Sequence, residues 1–294
     1  MSFDLLRLTM TALAGGGVGF LSGVFGVGGG FLLVPVLTIL LGIPVELAVG
    51  AGACQVLGPA TTSLLARRIG WQHLKLPLIV AGGVFVGVFV GAGVLEDTKS
   101  AAQIVLPGGP VPMSEFVVLV TYLVLLLAVG LFAMWEARRF RQSKPIKRGW
   151  IACWRLPPLA ILPETEGCVL SIPILVWFGL GVGFLSGLLG MSGGLILLPG
   201  LIYLLGLRTH QAVIGSMLIV WVVAAQATVI HAWHDNIDLT LVAALLFGGT
   251  AGARLGAEFG ERLGACQLRQ RFGWMALGAA ALIAFRVGRM FLAG

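Results

Sequence analysis

Residues 15–49 read GGGVGFLSGVFGVGGGFLLVPVLTILLGIPVELAV, and residues 179–213 read GLGVGFLSGLLGMSGGLILLPGLIYLLGLRTHQAV. At a constant offset of 164, without a gap, 19 of the 35 positions are identical. Each copy is an apolar helix, a glycine-rich break, and a short apolar helix carrying Pro35 or Pro199. Interrupted apolar helices at corresponding places in two halves of a chain point to the substrate site of a secondary transporter.

The rest of the chain fits that class. It is 58% hydrophobic and 11% charged over 294 residues. A soluble domain of this length carries more charge and shorter apolar runs. About 20 apolar residues cross a hydrocarbon core of about 30 Å. Ten such segments are expected, at about 5–26, 31–42, 48–67, 77–95, 114–135, 171–190, 195–207, 212–233, 239–257 and 272–291. The second and seventh are short: 12 or 13 helical residues reach only about 18–20 Å. Their breaks are therefore expected below the membrane surface, and a model of eight or nine crossings with re-entrant short helices stays open. The strand alternation of a β-barrel is absent from the sequence. The apolar stretch LLRLTMTALA resembles the core of a signal peptide, but residues 15–42 have an internal counterpart at 179–206, which argues against cleavage.

The net charge of +7 reads as membrane orientation, and no nucleic-acid partner is expected. The longest loop holds Arg138, Arg139, Arg141, Lys144, Lys147, Arg148 and Arg155, and the positive-inside rule makes it cytoplasmic. Counting crossings outward from it places 14 of the Lys and Arg residues inside, four at or near the outside, and Arg254 within a segment. Five crossings per half invert the second half relative to the first. The expected fold is an all-α polytopic transmembrane bundle of two inverted repeats of about five segments each. Residues 1–135 form the first repeat, 136–170 the basic cytoplasmic linker, and 171–294 the second repeat. Broken or short helices occur at segments 1–2 and 6–7. Glycines four apart (Gly15, Gly19, Gly23; Gly179, Gly183, Gly187; Gly83, Gly87, Gly91; Gly248, Gly252, Gly256, Gly260) give four segments one small-residue face for close helix packing.

The breaks carry the chemistry. Non-helical backbone survives at membrane depth only when buried in protein or lining a watery cavity. A short helix starting near Phe31 or Leu195 offers unpaired N–H groups and a positive dipole end, which attract an anion without a basic side chain. Two breaks entering from opposite faces would meet near the midplane. The candidate substrate-binding residues are Ser22, Gly26, Gly28, Gly29 and Gly30 from the first break. The second break contributes Ser186, Gly190, Ser192, Gly193 and Gly194. Gln55 and Ser216 sit early in the segments that follow. Interhelical hydrogen bonding is the plainer role for any one of these polar side chains.

His231 and Arg254 are candidates for gating or charge pairing. An interfacial position is the default for His231. For Arg254 the default is snorkelling or pairing with Glu258, four residues on along the helix. Asp235 and Asp238 are read as a solvated cap on a hairpin. Cys54, Cys153, Cys168 and Cys266 lack C-x-x-C spacing and are expected as free thiols. No metal or cofactor is expected, nor an enzyme: H-E-x-x-H, G-x-S-x-G and P-loop patterns are missing from the sequence.

GFLSGVFGVGGGFLLVPVL followed by G-A-G at 50–52, and GFLSGLLGMSGGLILLPGL followed by Gly215-Ser216, resemble the paired motifs of the TauE/SafE sulfite exporter family. Asp235-Asn236-Ile237-Asp238 is similar to that family's hairpin, and the resemblance covers nearly the whole chain. It implies transport of small sulfur-containing or other organic anions, such as sulfite, sulfonates or thiosulfate, across a bacterial inner membrane. The chain departs from the pattern where it reads G-A-G-A-C-Q instead of G-T-S, and where Ile214-Gly215 precede Ser216. The expected function is therefore a secondary transporter of such anions working by alternating access. An anion channel, a carboxylate carrier and a non-transporting membrane subunit remain the alternatives. The expected partners are a small anionic substrate and membrane lipid.

Overall fold

The computed structural model describes residues 5–25, 30–66, 74–101, 103–107, 109–141, 149, 156–161, 169–207, 209–260, 262 and 265–292. Gly26, Gly28 and Gly29 lie outside the described residues, as do Cys153, Cys168 and most of the basic linker. The described helices, in chain order, are α1 (Leu5–Phe25), α2 (Gly30–Leu41), α3 (Val45–Ala66), α4 (Lys75–Ser100), α5 (Met113–Arg141), α6 (Ile172–Leu189), α7 (Gly194–Pro199), α8 (Thr209–Trp233), α9 (Leu239–Gly260) and α10 (Ala265–Leu292). A π-helical turn over Gly200–Leu204 prolongs α7. Every segment expected from hydropathy is a helix. Some overrun their apolar stretch: α5 continues to Arg141 and α10 starts at Ala265. Hydropathy marks the hydrocarbon, whereas the backbone goes on pairing its own N–H and C=O groups into the headgroup region.

Two small antiparallel hairpins were not foreseen. β1 (Ile104–Leu106) pairs with β2 (Gly109–Val111), and β3 (Leu159–Ile161) pairs with β4 (Val169–Ser171). Both lie between helices, and strands of three residues are too short to show a period.

Among the described residues, seven helices are long and apolar enough to cross a membrane: α1, α4, α5, α6, α8, α9 and α10. The protein is a polytopic helical membrane protein. α3 matches them in length at 22 residues. It is wrapped by α2, α8 and α9. Its Ala48, Val49, Ala51, Ala53 and Val56 are buried. Phe85, Phe89, Phe247 and Phe285 are exposed apolar side chains on the outer helices, as a lipid solvent requires.

The glycine faces form the seams of two helix pairs. α1 runs along α9, and α6 runs along α4. A Cβ on Gly252 or Gly256 would overlap the carbonyl oxygens of Gly16 or Phe20 on α1. In the other pair, a Cβ on Gly87 or Gly91 would overlap those of Leu180 or Phe184 on α6. Backbone therefore lies on backbone along both seams, the approach that small residues permit in lipid. α1 and α6 carry the duplicated glycine-rich sequence; α4 is the fourth helix from α1, and α9 the fourth from α6. Each half thus packs its first helix against the fourth helix of the other half, and the halves interlock.

α5 and α10 form a third antiparallel pair, stitched at both ends. Arg286 Nη2 lies 3.1 Å from Glu115 Oε1. Arg269 Nη1 lies 2.9 Å from Glu136 Oε1. The two glutamates are separated by about 31 Å of helix at 1.5 Å per residue, close to the thickness of the hydrocarbon core.

Candidate functional site

The second break is built by local capping. α6 ends because Gly190 takes a left-handed conformation (φ 65°), and its N–H donates to Ser186 O at 2.8 Å. This is a glycine stop that satisfies an orphan carbonyl. Gly193 is left-handed as well (φ 69°). The chain then re-enters helix, and Ile196 and Leu197 both donate to Gly193 O, at 2.9 and 2.8 Å. The Ser186 hydroxyl donates to Met191 O across the break. The buried Tyr122 hydroxyl of α5 donates to Leu189 O at 2.7 Å.

Tyr122 is a residue that sequence reasoning missed. It stands 67 positions before its partner, in a helix with no other sign of function. Its phenol satisfies one of the last carbonyls of α6, for which the helix has no donor. Tyr122→Phe is expected to destabilise the protein by about 1–3 kcal/mol, the cost of a buried carbonyl left unpaired. Thermal unfolding in detergent measures this, and an unchanged midpoint would mean that another donor reaches Leu189 O.

The second break does not stand alone. Gly190 is pressed against Val49 of α3, and a Cβ on Gly190 would lie 2.6 Å from Val49 Cα. A Cβ on Gly52 would lie 2.8 Å from Gly190 O. A Cβ on Gly30, the first residue of α2 after the first break, would sit 3.4 Å from Met191 Cα. The end of one break thus touches the turn of the other, with α3 against both. The G-A-G stretch at 50–52 supplies the small residues for this approach: Gly52 meets the break, and Gly50 meets the Asn236 backbone.

Ser22, Ser186, Ser192, Gln55 and Ser216 are all buried. Ser186 and Ser216 both donate to backbone carbonyls, Ser216 to Val213 O at 2.9 Å. Their hydroxyl protons brace the helices, which leaves them only lone pairs to offer. Gln55 reaches toward α9, where its Nε2 donates to Leu245 O at 3.4 Å and its Oε1 is buried without a partner.

His231 is buried inside the protein. Its side chain is 0% exposed, and the ring lies against the Gly187 backbone of α6. A position near a helix end looks solvated in one dimension; here a neighbouring helix and the loop after α8 cover it. Arg254 sits on the exposed face of α9, away from its glycine seam, with Glu258 exposed four residues on. That is the placement expected of a snorkelling side chain. Asp238 caps α9: its Oδ1 accepts from Thr240 N at 2.8 Å and Leu241 N at 3.2 Å. Cys54 is a free thiol. Among the described residues, no group of three His, Cys, Asp or Glu side chains is placed to hold a metal.

The two ends of the bundle differ. At the end formed by the α4 and α8 termini, Lys99 Nζ lies 3.3 Å from Glu96 Oε1 and donates to Asn236 Oδ1 at 3.0 Å. These contacts tie the loop after α8 to α4. Toward the other end, a cavity of about 240 Å³ opens between α1, α5, α7 and α10. Its lining includes Phe25, the last residue before the first break, and Gly194, the first after the second. Glu136, Tyr203 and Arg269 also line it.

Residues 11–283 match the family model described as sulfite exporter TauE/SafE. A "Probable membrane transporter protein" of Xylella fastidiosa (strain 9a5c) is 26% identical over 291 residues, covering 95% of both chains. The "Probable membrane transporter protein YdhB" of Bacillus subtilis (strain 168) is 26% identical over 82% of this chain and 86% of its own. The "Probable membrane transporter protein YunE" of the same organism is 26% identical over 90% of both. No solved structure matches the chain. With a match spanning both glycine breaks and the helices that bring them together, the chain belongs to the TauE/SafE sulfite exporter family and is a membrane transporter, not an enzyme.

Proposed function

We propose that this transporter is a secondary carrier of small sulfur-containing anions (sulfite, an organosulfonate or thiosulfate) and that it works by alternating access in a bacterial inner membrane. The observation that carries the reading is the contact between the two breaks, Gly30 against Gly190 and Met191. Glycine backbone from both halves meets there, buried within a helical membrane protein. Backbone N–H groups around Gly26, Gly28, Gly29 and Gly30, and around Gly190, Ser192, Gly193 and Gly194, bind the oxyanion. Ser22, Ser186, Gln55 and Ser216 hold that backbone in place or add contacts.

The interlocked packing of α1 on α9 and α6 on α4 supports two inverted repeats. Exchanging the halves maps one seam onto the other. The charge count supports a cytoplasmic basic linker. In that orientation the cavity faces the cytoplasm, and the Lys99–Asn236 tie closes the outside. The membrane potential favours anion export by about 2.3 kcal/mol per charge per 100 mV.

The test has two parts. Purified protein is heated with sulfite, thiosulfate, methanesulfonate, sulfate and a series of carboxylates, and a sulfur anion is expected to raise the midpoint most. Stabilisation by a carboxylate alone would overturn the substrate class. Proteoliposomes then report on mechanism: uptake of labelled anion is expected to saturate and to speed up with unlabelled anion on the far side. Flux without that acceleration means a channel.

A further inference from the structure

The cavity beside the breaks has features that a bare inorganic oxyanion does not need. At about 240 Å³ it is smaller than the usual drug-sized pocket. Its walls are largely apolar. Phe272 stands with ring centroids 5.4 Å from Phe25 and 6.1 Å from Phe31, the two phenylalanines that flank the first break. Phe132 packs edge-on against Tyr203 at 5.5 Å. The charges gather in one cluster. Arg269 Nη1 lies 2.9 Å from Glu136 Oε1, and the Tyr203 hydroxyl donates to that same carboxylate oxygen. Arg269 is 37% exposed at the side chain, against 12% for Glu136.

Tyr203 belongs to the π-helical turn Gly200–Leu204. Such turns are rare and occur often at functional sites. Its carbonyl accepts from Gly149 N at 2.9 Å, which joins the turn to the linker between the halves.

We propose that this cavity is a vestibule for an anion bearing an apolar group, and that Arg269 captures the anion by exchanging Glu136 for it. The inference rests on the transport reading and adds a second, selective site to it. The apolar group occupies the aromatic wall, with the charged head on the guanidinium. Glu136 is the built-in competitor. Tyr203 keeps a donor on the carboxylate when Arg269 leaves it, which offsets part of the cost of the exchange. An arginine fork can pair with two oxygens of such a head group at once.

The fold supplies its own control. Glu115 and Arg286 stitch the same two helices near their other ends at 3.1 Å. A purely structural role for the Arg269 pair predicts the same behaviour for both stitches. Binding of benzenesulfonate to the purified full chain is measured by calorimetry, with methanesulfonate for comparison. Counterflow of sulfite in proteoliposomes is measured separately.

Benzenesulfonate is expected to bind more tightly than methanesulfonate. R269Q is expected to weaken benzenesulfonate binding about tenfold, the scale of a lost charge-assisted hydrogen bond, with partial rescue in R269K. E136Q is expected to tighten it severalfold, because the competitor is neutralised. R286Q and E115Q are expected to leave it unchanged. The vestibule is overturned if R269Q and E136Q shift binding in the same direction, if R286Q matches R269Q, or if the ring gives no advantage. Wild-type protein that binds benzenesulfonate in this pattern yet moves no sulfite overturns the sulfite-carrier reading and leaves the vestibule standing.

Discussion

Gly190→Ala is expected to abolish transport, with uptake in proteoliposomes falling at least about a hundredfold. Two independent costs fall on one methyl group. Gly190 has φ 65°, and a left-handed backbone costs an L-residue about 1–2 kcal/mol. The new Cβ would also overlap the Val49 carbonyl and lie 2.6 Å from Val49 Cα. That neighbour is helix backbone and cannot rotate aside, and overpacking of this kind typically costs about 1–3 kcal/mol. At the middle of these ranges the two sum to about 3.5 kcal/mol, above the roughly 2.7 kcal/mol that corresponds to about a hundredfold in an equilibrium or a rate.

The strain relaxes by moving the break away from α3 and Gly30, and that contact is what the proposed binding site needs. Gly181→Ala is the control. Gly181 lies on the same helix with nothing within 4 Å of its would-be Cβ, and alanine is the better helix former. Loss of uptake in Gly190→Ala, with wild-type uptake and wild-type thermal stability in Gly181→Ala, is the expected pair of results. Wild-type transport by Gly190→Ala would remove the break contact from the mechanism.

Gly252→Leu is expected to have the second large effect, this time on the fold itself. A Cβ there would already overlap the Gly16 carbonyl and sit 2.8 Å from its carbon, so a leucine must drive α1 and α9 apart. Close backbone packing, not hydrophobic burial, holds helices together in lipid, so α1 has little other hold. The expected result is a protein that inserts but elutes as aggregate in size-exclusion chromatography.

Gly87→Leu strikes the equivalent seam between α4 and α6, where a Cβ would lie 2.7 Å from Phe184 N, and should fail in the same way. Equal sensitivity is the signature of interlocked halves, because each seam joins a helix of one half to a helix of the other. If Gly252→Leu elutes as a monodisperse peak while Gly87→Leu aggregates, the two seams are not equivalent. Gly17 and Gly82, which face open space on α1 and α4, should tolerate alanine.

Much of the architecture was legible because a membrane imposes one-dimensional rules. Apolar runs and length fixed the ten helices, and four-residue glycine spacing marked the faces that pack. Asp238 read as a cap is a cap, at α9. Side chains at the site were harder to read. Ser186 and Ser216 appear in the sequence as hydroxyls available to a ligand, and both donate to backbone carbonyls. His231 looks interfacial by its distance from Trp233 and is wholly buried. Hydroxyls and imidazoles are satisfied or stranded by whatever lies across from them, which linear position does not record.

By itself the sequence determined the class of the protein, its duplicated glycine breaks and their likeness to one family. These follow from composition, periodicity and repetition, which are properties of the chain. The tertiary structure alone decided that α1 pairs with α9 and α6 with α4, that Gly30 meets Gly190, and that Tyr122 caps the end of α6. It also brought Glu136, Tyr203 and Arg269 to one cavity. The physical reason is that a glycine face specifies close approach and no partner. Which backbone fills it is settled only when all the helices compete for the same interior.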